Sequence, residues 1–134
     1  MAIKPHTIDI VVANMAASLK FYRTLGLDAP TDQDDEVQVQ IQTPGCVTLG
    51  LVTEAVVRKS NPHWVEPVGQ RVTFSCKCDR PEEVDDVYAR MASAGYPGIK
   101  EPWDAFWGQR YAFLRDPDGN RVDIFAPIAE HGEE

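Results

Sequence analysis

Displaced by 66 residues, the chain overlays itself: Thr7 falls on Thr73, Ile8 on Phe74, Ile10 on Cys76, Val12 on Cys78, Tyr22 on Tyr88 and Leu25 on Met91. A displacement one residue shorter sets the apolar face of one strand against the polar face of the other, so strand parity fixes the register. Each half reads as β-α-β-β-β, and the chain as an α+β fold of two tandem modules. One such copy leaves its curled sheet half uncovered, so two are expected to pack as pseudo-symmetric halves, a curled mixed sheet around a shared cavity. Module one is placed at about 5–53, a linker at about 54–69, module two at about 70–127 and an acidic tail at 128–134, all within one domain.

Local patterns fill in the modules. Ile8, Ile10 and Val12 alternate with Thr7, Asp9 and Val11, which predicts a strand over 7–13. Asn14 is a good N-cap, and Met15, Ser18, Leu19, Tyr22 and Leu25 recur at helical spacing until Gly26 offers a stop. Residues 28–35 read as a polar connection. Residues 36–43 alternate Val37, Val39 and Ile41 with glutamines, and 46–52 is a further β-prone run after the Pro44-Gly45 turn. Residues 53–69, with two prolines and Trp64, read as a long loop or short helical excursion. In the second half, 72–78 is expected to be a strand. A helix then starts at Pro81 and carries the stripe Val84, Val87, Tyr88 and Met91 as far as Gly95. Residues 98–101 read as a short strand and 103–108 as an aromatic loop. Two strands, 109–115 and 121–126, are joined by Asp116-Pro117-Asp118-Gly119-Asn120, a hairpin-turn signal.

Composition narrows the function classes. A chain of 134 residues, 43% hydrophobic and 25% charged, is one ordinary globular domain. At this size folding buries roughly 68% of the unfolded surface, so neither metal nor disulfide is needed to hold a core. The three cysteines are an odd count, and Cys76 and Cys78 read as small apolar residues on one strand face rather than as a disulfide framework. A net charge of -8 repels phosphate backbones and anionic lipid, which speaks against nucleic acid or membrane as partner. No apolar run approaches the roughly 20 residues that span a bilayer. Polar residues follow Met1 too closely for a signal peptide, so a cytoplasmic location is expected.

Two stretches carry a family resemblance: Asn14-Met-Ala-Ala-Ser-Leu-Lys-Phe-Tyr-Arg-Thr-Leu-Gly26 and Trp107-Gly-Gln-Arg-Tyr-Ala-Phe-Leu-Arg-Asp-Pro-Asp-Gly-Asn-Arg-Val-Asp-Ile-Phe125. They strongly resemble the two ends of glyoxalase/bleomycin-resistance/extradiol-dioxygenase domains, the vicinal oxygen chelate superfamily, and the likeness covers nearly the whole chain. That superfamily includes metalloenzymes and metal-free proteins that sequester drugs. By the resemblance, the enzymes place a metal ligand, usually His, Gln or Glu, on each of four strands. The corresponding positions here are Thr7, Gly50, Thr73 and Asp123. One carboxylate and two hydroxyls do not make a competitive site for zinc, iron, nickel or manganese. No metal or other cofactor is therefore expected.

The histidines do not repair this set. His6 lies one residue before a ligand position and so faces the other side of its strand, His63 sits in the long loop, and His131 lies in the tail. No Ser-His-Asp or Cys-His spacing stands out, and no catalytic residue is assigned. What remains is aromatic surface and charge. Trp103, Phe106 and Trp107 cluster before the last hairpin, with Trp64 in the other loop. That is more apolar area than solvent-facing loops carry, although such residues also serve simply to cover a core. The resemblance implies that the Trp-Gly pair stacks planar ligand rings in metal-free members. Asp9 and Asp123 add attraction for a cationic ligand, and the acidic run 32–36 is read as a solvated turn. The preferred reading is a metal-free binder of a small aromatic, cationic or neutral molecule, close in character to the bleomycin-resistance branch. By the resemblance it is a homodimer with grooves between subunits. Its residues of interest are Trp107, Trp103, Phe106, Trp64, Asp123, Thr7, Thr73 and Asp9. The alternative is a lyase, isomerase or dioxygenase of the same fold, either metal-dependent through Asp123, His6 or His63, or metal-free with Asp123 as acid or base.

Overall fold

The structure is a computed structural model that describes residues 3–45 and 47–128. His131, Cys46 and nearly all of the expected acidic tail lie outside the described residues. The chain divides into two compact units, Met1–Val68 and Gly69–Glu134.

In the first unit, strand β1 (Thr7–Val12) leads into helix α1 (Met15–Leu25), followed by β2 (Gln38–Ile41), β3 (Thr48–Thr53) and α2 (Glu54–Ser60). The helix starts where Asn14 Oδ1 accepts the Ala17 amide at 2.9 Å, which satisfies one of the donors that a helix N-terminus leaves free. It stops at Gly26, whose φ of 122° lets its amide turn back to Tyr22 and Arg23. The sheet order is β1-β3-β2, with β1 parallel and β2 antiparallel to β3. Val12, Val39, Ile41, Leu49 and Leu51 are buried, as are Leu19 and Tyr22 of α1. The opposite sheet face carries Thr7, Asp9, Gln40 and Gly50, as the pairings Asp9 with Gly50 and Gln40 with Gly50 require.

The second unit contains β4 (Thr73–Lys77), α3 (Pro81–Ser93), β5 (Lys100–Ala105), β6 (Gln109–Arg115) and β7 (Arg121–Pro127), in the order β4-β7-β6-β5. Proline opens α3, and Glu83 Oε1 accepts the Arg80 and Asp79 amides at 3.0 and 2.9 Å. The β6–β7 hairpin is closed by Asp116, whose Oδ1 accepts the amides of Asp118 and Asn120 at 2.9 and 2.8 Å. Gly119 takes the positive φ of 87° that this turn needs. Val122, Ile124, Ala126, Ala112 and Leu114 form the buried face, on the side of α3 with Val84 and Met91. Arg110 on that side spans to Asp85 of α3 at 2.9 and 3.1 Å and to Asp104 at 3.0 Å.

The fold is thus α+β with two mixed sheets, matching two βαβββ modules, and two sequence expectations change in detail. Among the described residues the first sheet has three strands against four in the second, because residues 28–37, rich in Asp with a proline, suit turns rather than a pleated surface. The stretch 53–69 holds the two-turn helix α2, the short helical excursion that was one of its two readings. Trp103 lies not in a loop but inside strand β5. Pro102 obscured this strand, yet β5 is a sheet edge, where a missing amide costs no ladder bond, and a register shift between Lys100 and Trp103 absorbs it.

Candidate functional site: an aromatic face on the four-stranded sheet

Strand alternation sends Gln109, Tyr111, Phe113 and Arg115 of β6, and Arg121, Asp123 and Phe125 of β7, to the face away from α3. Tyr111 pairs across with both Trp103 and Phe125, and Phe113 pairs with Asp123. Five rings therefore share one surface. Trp103 lies 5.8 Å from Tyr111, 5.4 Å from Phe113 and 6.1 Å from Trp107. Tyr111 stacks on Phe125 at 5.6 Å and meets Trp107 edge-on at 5.4 Å. These separations are those of favourable aromatic pairs. Trp107 is 48% exposed, with its indole N–H donated to Gln109 Oε1 at 2.7 Å, and Phe106 beside it is 97% exposed.

A polar group sits within this surface. Asp123, 1% exposed, accepts both Arg121 Nε at 2.8 Å and Arg121 Nη2 at 3.0 Å, and the Arg121 guanidinium lies 3.8 Å above the Phe113 ring. The fork geometry and the stacking are what a guanidinium offers and an ammonium does not. Burial, then a hydrogen bond to Asp123, push the Tyr111 hydroxyl above its ordinary range, opposed by Ser75 and Arg121. Both Asp123 oxygens are thus engaged by Arg121. The carboxylate is answered within its own strand, which removes the basis for expecting it to attract a cation and leaves it poorly placed as an acid or base.

Of the other singled-out residues, Thr73 shares this face: it is exposed on β4 and pairs with Arg121. The rest fall in the first unit. Trp64 belongs to the first unit, half-buried under the Arg58 guanidinium at 4.4 Å. Asp9 and Thr7 lie on the polar face of the first sheet, where Thr7 Oγ1 is hydrogen-bonded to His6 Nδ1. His6 and His63 are exposed. Gly50 is the counterpart of Asp123: each is the third residue of the last strand of its sheet, paired with Asp9 and Ser75 respectively. Of the four family ligand positions, then, two are hydroxyls, one has no side chain, and one is clamped by arginine. This donor set does not fit a divalent transition metal. Among the described residues, no three of His, Cys, Asp or Glu come together to hold one. Burial pushes the Cys76 thiol up to about 12, with Cys78 and Asp123 adding to it, and Cys78 is likewise raised, chiefly by burial. Neither is an activated nucleophile.

Sequence reasoning missed Tyr111, Phe113, Phe125 and Arg121. The signal was present in the period-two alternation of 109–115 and 121–125, which puts every odd-numbered side chain on one face.

A strand-helix-strand repeat with a one-sided, aromatic-lined sheet defines a small βαβββ-type domain. The chain belongs to the Glyoxalase/Bleomycin resistance protein/Dioxygenase superfamily, whose family model matches residues 4–124. Among solved structures it is similar to a glyoxalase/bleomycin resistance protein/dioxygenase from Nocardioides, with 26% identity, a TM-score of 0.76, and coverage of 99% of this chain and 88% of that one. A glyoxalase/bleomycin resistance protein/dioxygenase family enzyme from Burkholderia phytofirmans PsJN shares the fold at TM-score 0.80 and 20% identity, over 91% and 97% of the two chains. Hypothetical protein SA1046 from S. aureus does so at 0.77 and 23%, over 94% of each. No curated protein matches the chain. No helix among the described residues is long and apolar enough to cross a membrane.

Proposed function

We propose that this protein is a metal-free binder of small planar aromatic molecules, one that sequesters an antibiotic or similar natural product, and that it works as a cytoplasmic homodimer. The observation that carries this reading is the ring cluster of Trp103, Trp107, Tyr111, Phe113 and Phe125 on one sheet face, with neighbouring centroids between 5.4 and 6.1 Å apart. Large apolar area outside the core is a mark of binding, and flat rings stack on flat rings. The family's metal-dependent chemistry is disfavoured here by the donors at Thr7, Gly50, Thr73 and Asp123.

Trp107 is the residue through which to test the reading, since it is half exposed and touches Trp103, Phe106 and Tyr111. Stacking is worth about 0.5–1.5 kcal/mol beyond the area buried, so Trp107→Ala is expected to weaken a planar ligand roughly tenfold while the melting temperature moves little. Calorimetric titration of a panel of planar antibiotics against wild type and variant, paired with thermal melts, reads both quantities. A lowered melting temperature with unaltered affinity on the folded fraction means that Trp107 is structural and the binding surface lies elsewhere.

A further inference from the structure

The aromatic face is graded along its strands, and its far end is positively charged. Arg115 of β6 stands directly opposite Arg121 of β7, and Lys100 of β5 opposite Phe113, while Trp103, Tyr111 and Phe125 form the next row, which ends on Lys77 of β4 at the sheet edge. Lys100 Nζ lies 4.3 Å over the Trp103 ring, with Glu101 beside it in the irregular part of β5. Neither Arg115 nor Lys100 forms a salt bridge among the described residues. Like charges directly opposite on one face repel. Asp123 is the carboxylate that register places on this face, and it is held through Nε and Nη2 of Arg121, so Nη1 takes no part in that pair. In a chain of net charge -8, the four cations that register places on this face, Arg115, Arg121, Lys100 and Lys77, against one carboxylate reverse the local sign.

Resting on the aromatic-binding reading, we infer that the bound molecule is a planar aromatic carboxylate, with its rings on Trp103, Trp107 and Tyr111 and its anionic group toward Arg115, Arg121 and Lys100. An incoming carboxylate relieves the repulsion between the two arginines and gains charge-assisted hydrogen bonds from guanidinium N–H groups. Tyr111 and Arg115 are four residues apart, roughly 13 Å along an extended strand, a span that suits two or three fused rings bearing a terminal acid. This replaces the cationic ligand expected from the sequence: of the two carboxylates behind that expectation, Asp123 already has its partner and Asp9 belongs to the sheet of the first unit.

Three probes of one shape separate the possibilities: anthracene-2-carboxylate, 2-(hydroxymethyl)anthracene and 2-(aminomethyl)anthracene, titrated by tryptophan fluorescence at low and high salt. The carboxylate is expected to bind about tenfold tighter than the alcohol, with the ammonium weakest and the carboxylate's advantage shrinking as salt rises. Arg115→Gln and Lys100→Gln, both exposed positions, are each expected to weaken the carboxylate about threefold or more and leave the alcohol within about a factor of two. If the alcohol or the ammonium binds as tightly as the carboxylate, the anionic ligand is wrong while aromatic binding stands. If none of the three binds, aromatic binding itself falls, and this inference with it.

Discussion

Gly50 shows how one residue separates the two modules. It occupies on β3 the place that Asp123 occupies on β7, and its strand partner Asp9 lies where the second sheet has Ser75. The carboxylate has in effect moved to the neighbouring strand. A Cβ on Gly50 would run into Asp9 Oδ1 and come within 3.0 Å of Thr7 Cγ2, so the exposed Asp9 carboxylate must swing aside for any side chain at position 50. Gly50→Ala is expected to cost about 0.5–1 kcal/mol by displacing Asp9 from its rotamer, and Asp9→Ala in the same chain to recover most of it, since Thr7 alone can give by a few tenths of an ångström. Urea denaturation of the two single variants and the double variant measures the coupling. Additive losses mean that Asp9 does not lie over Gly50 in solution. The sequence alone showed that Gly50 supplies no ligand. That a carboxylate covers it depends on the parallel pairing of β1 and β3, which no local pattern discloses.

At the scale of elements, legibility followed the strength of the local signal. Helix α1, with Asn14 and Gly26 at its ends, and the Asp116–Asn120 hairpin could be placed in advance because caps and turns are short-range chemistry. Strand β5 was placed only at its start, within 98–101, since its pairing with β6 and the irregularity beside Pro102, which carry it on to Ala105, are tertiary facts. The consequence reached the site: Trp103 is fixed by a strand, and four rings of the cluster it joins stand on β5, β6 and β7, with only Trp107 in the turn at 106–108. Strand β4 carries an element-level prediction. Burial holds the Cys76 thiol protonated up to about 12 against an ordinary value of 9.0, and Tyr111 across the sheet is shifted in the same direction. Above pH 9 the unfolded chain releases a thiol proton that the folded chain keeps. The stability linked to Cys76 is therefore complete below pH 9 and lost as pH rises from 9 toward about 12. Thermal melts between pH 8 and 11 are expected to fall more steeply for wild type than for Cys76→Ala. Parallel curves would show that the thiol is not shielded in the folded protein.

For the whole molecule, the 66-residue repeat was the most informative feature, because strand parity and helix spacing had to agree in both halves at once. It disclosed two βαβββ modules, while the superfamily was carried by the resemblance of the stretches 14–26 and 107–125, and neither showed that the first sheet has one strand fewer among the described residues. Superfamily membership leaves chemistry open, since one fold carries metal sites and bare binding surfaces alike. The proposed reading rests on side chains: hydroxyls, a glycine and an arginine-clamped carboxylate at the positions that the resemblance marks as ligands, and five rings on one face of the second sheet. Whether that face binds without metal is best read by an amide and indole NMR titration of chelator-treated, isotope-labelled protein with planar aromatic ligands. Metal-free binding on this face predicts saturable shifts at the Trp103 and Trp107 indoles and along β5, β6 and β7 with no metal added. Shifts that appear only after zinc or manganese is supplied, or that fall instead on Thr7, Asp9 and Gly50 of the first sheet, contradict it.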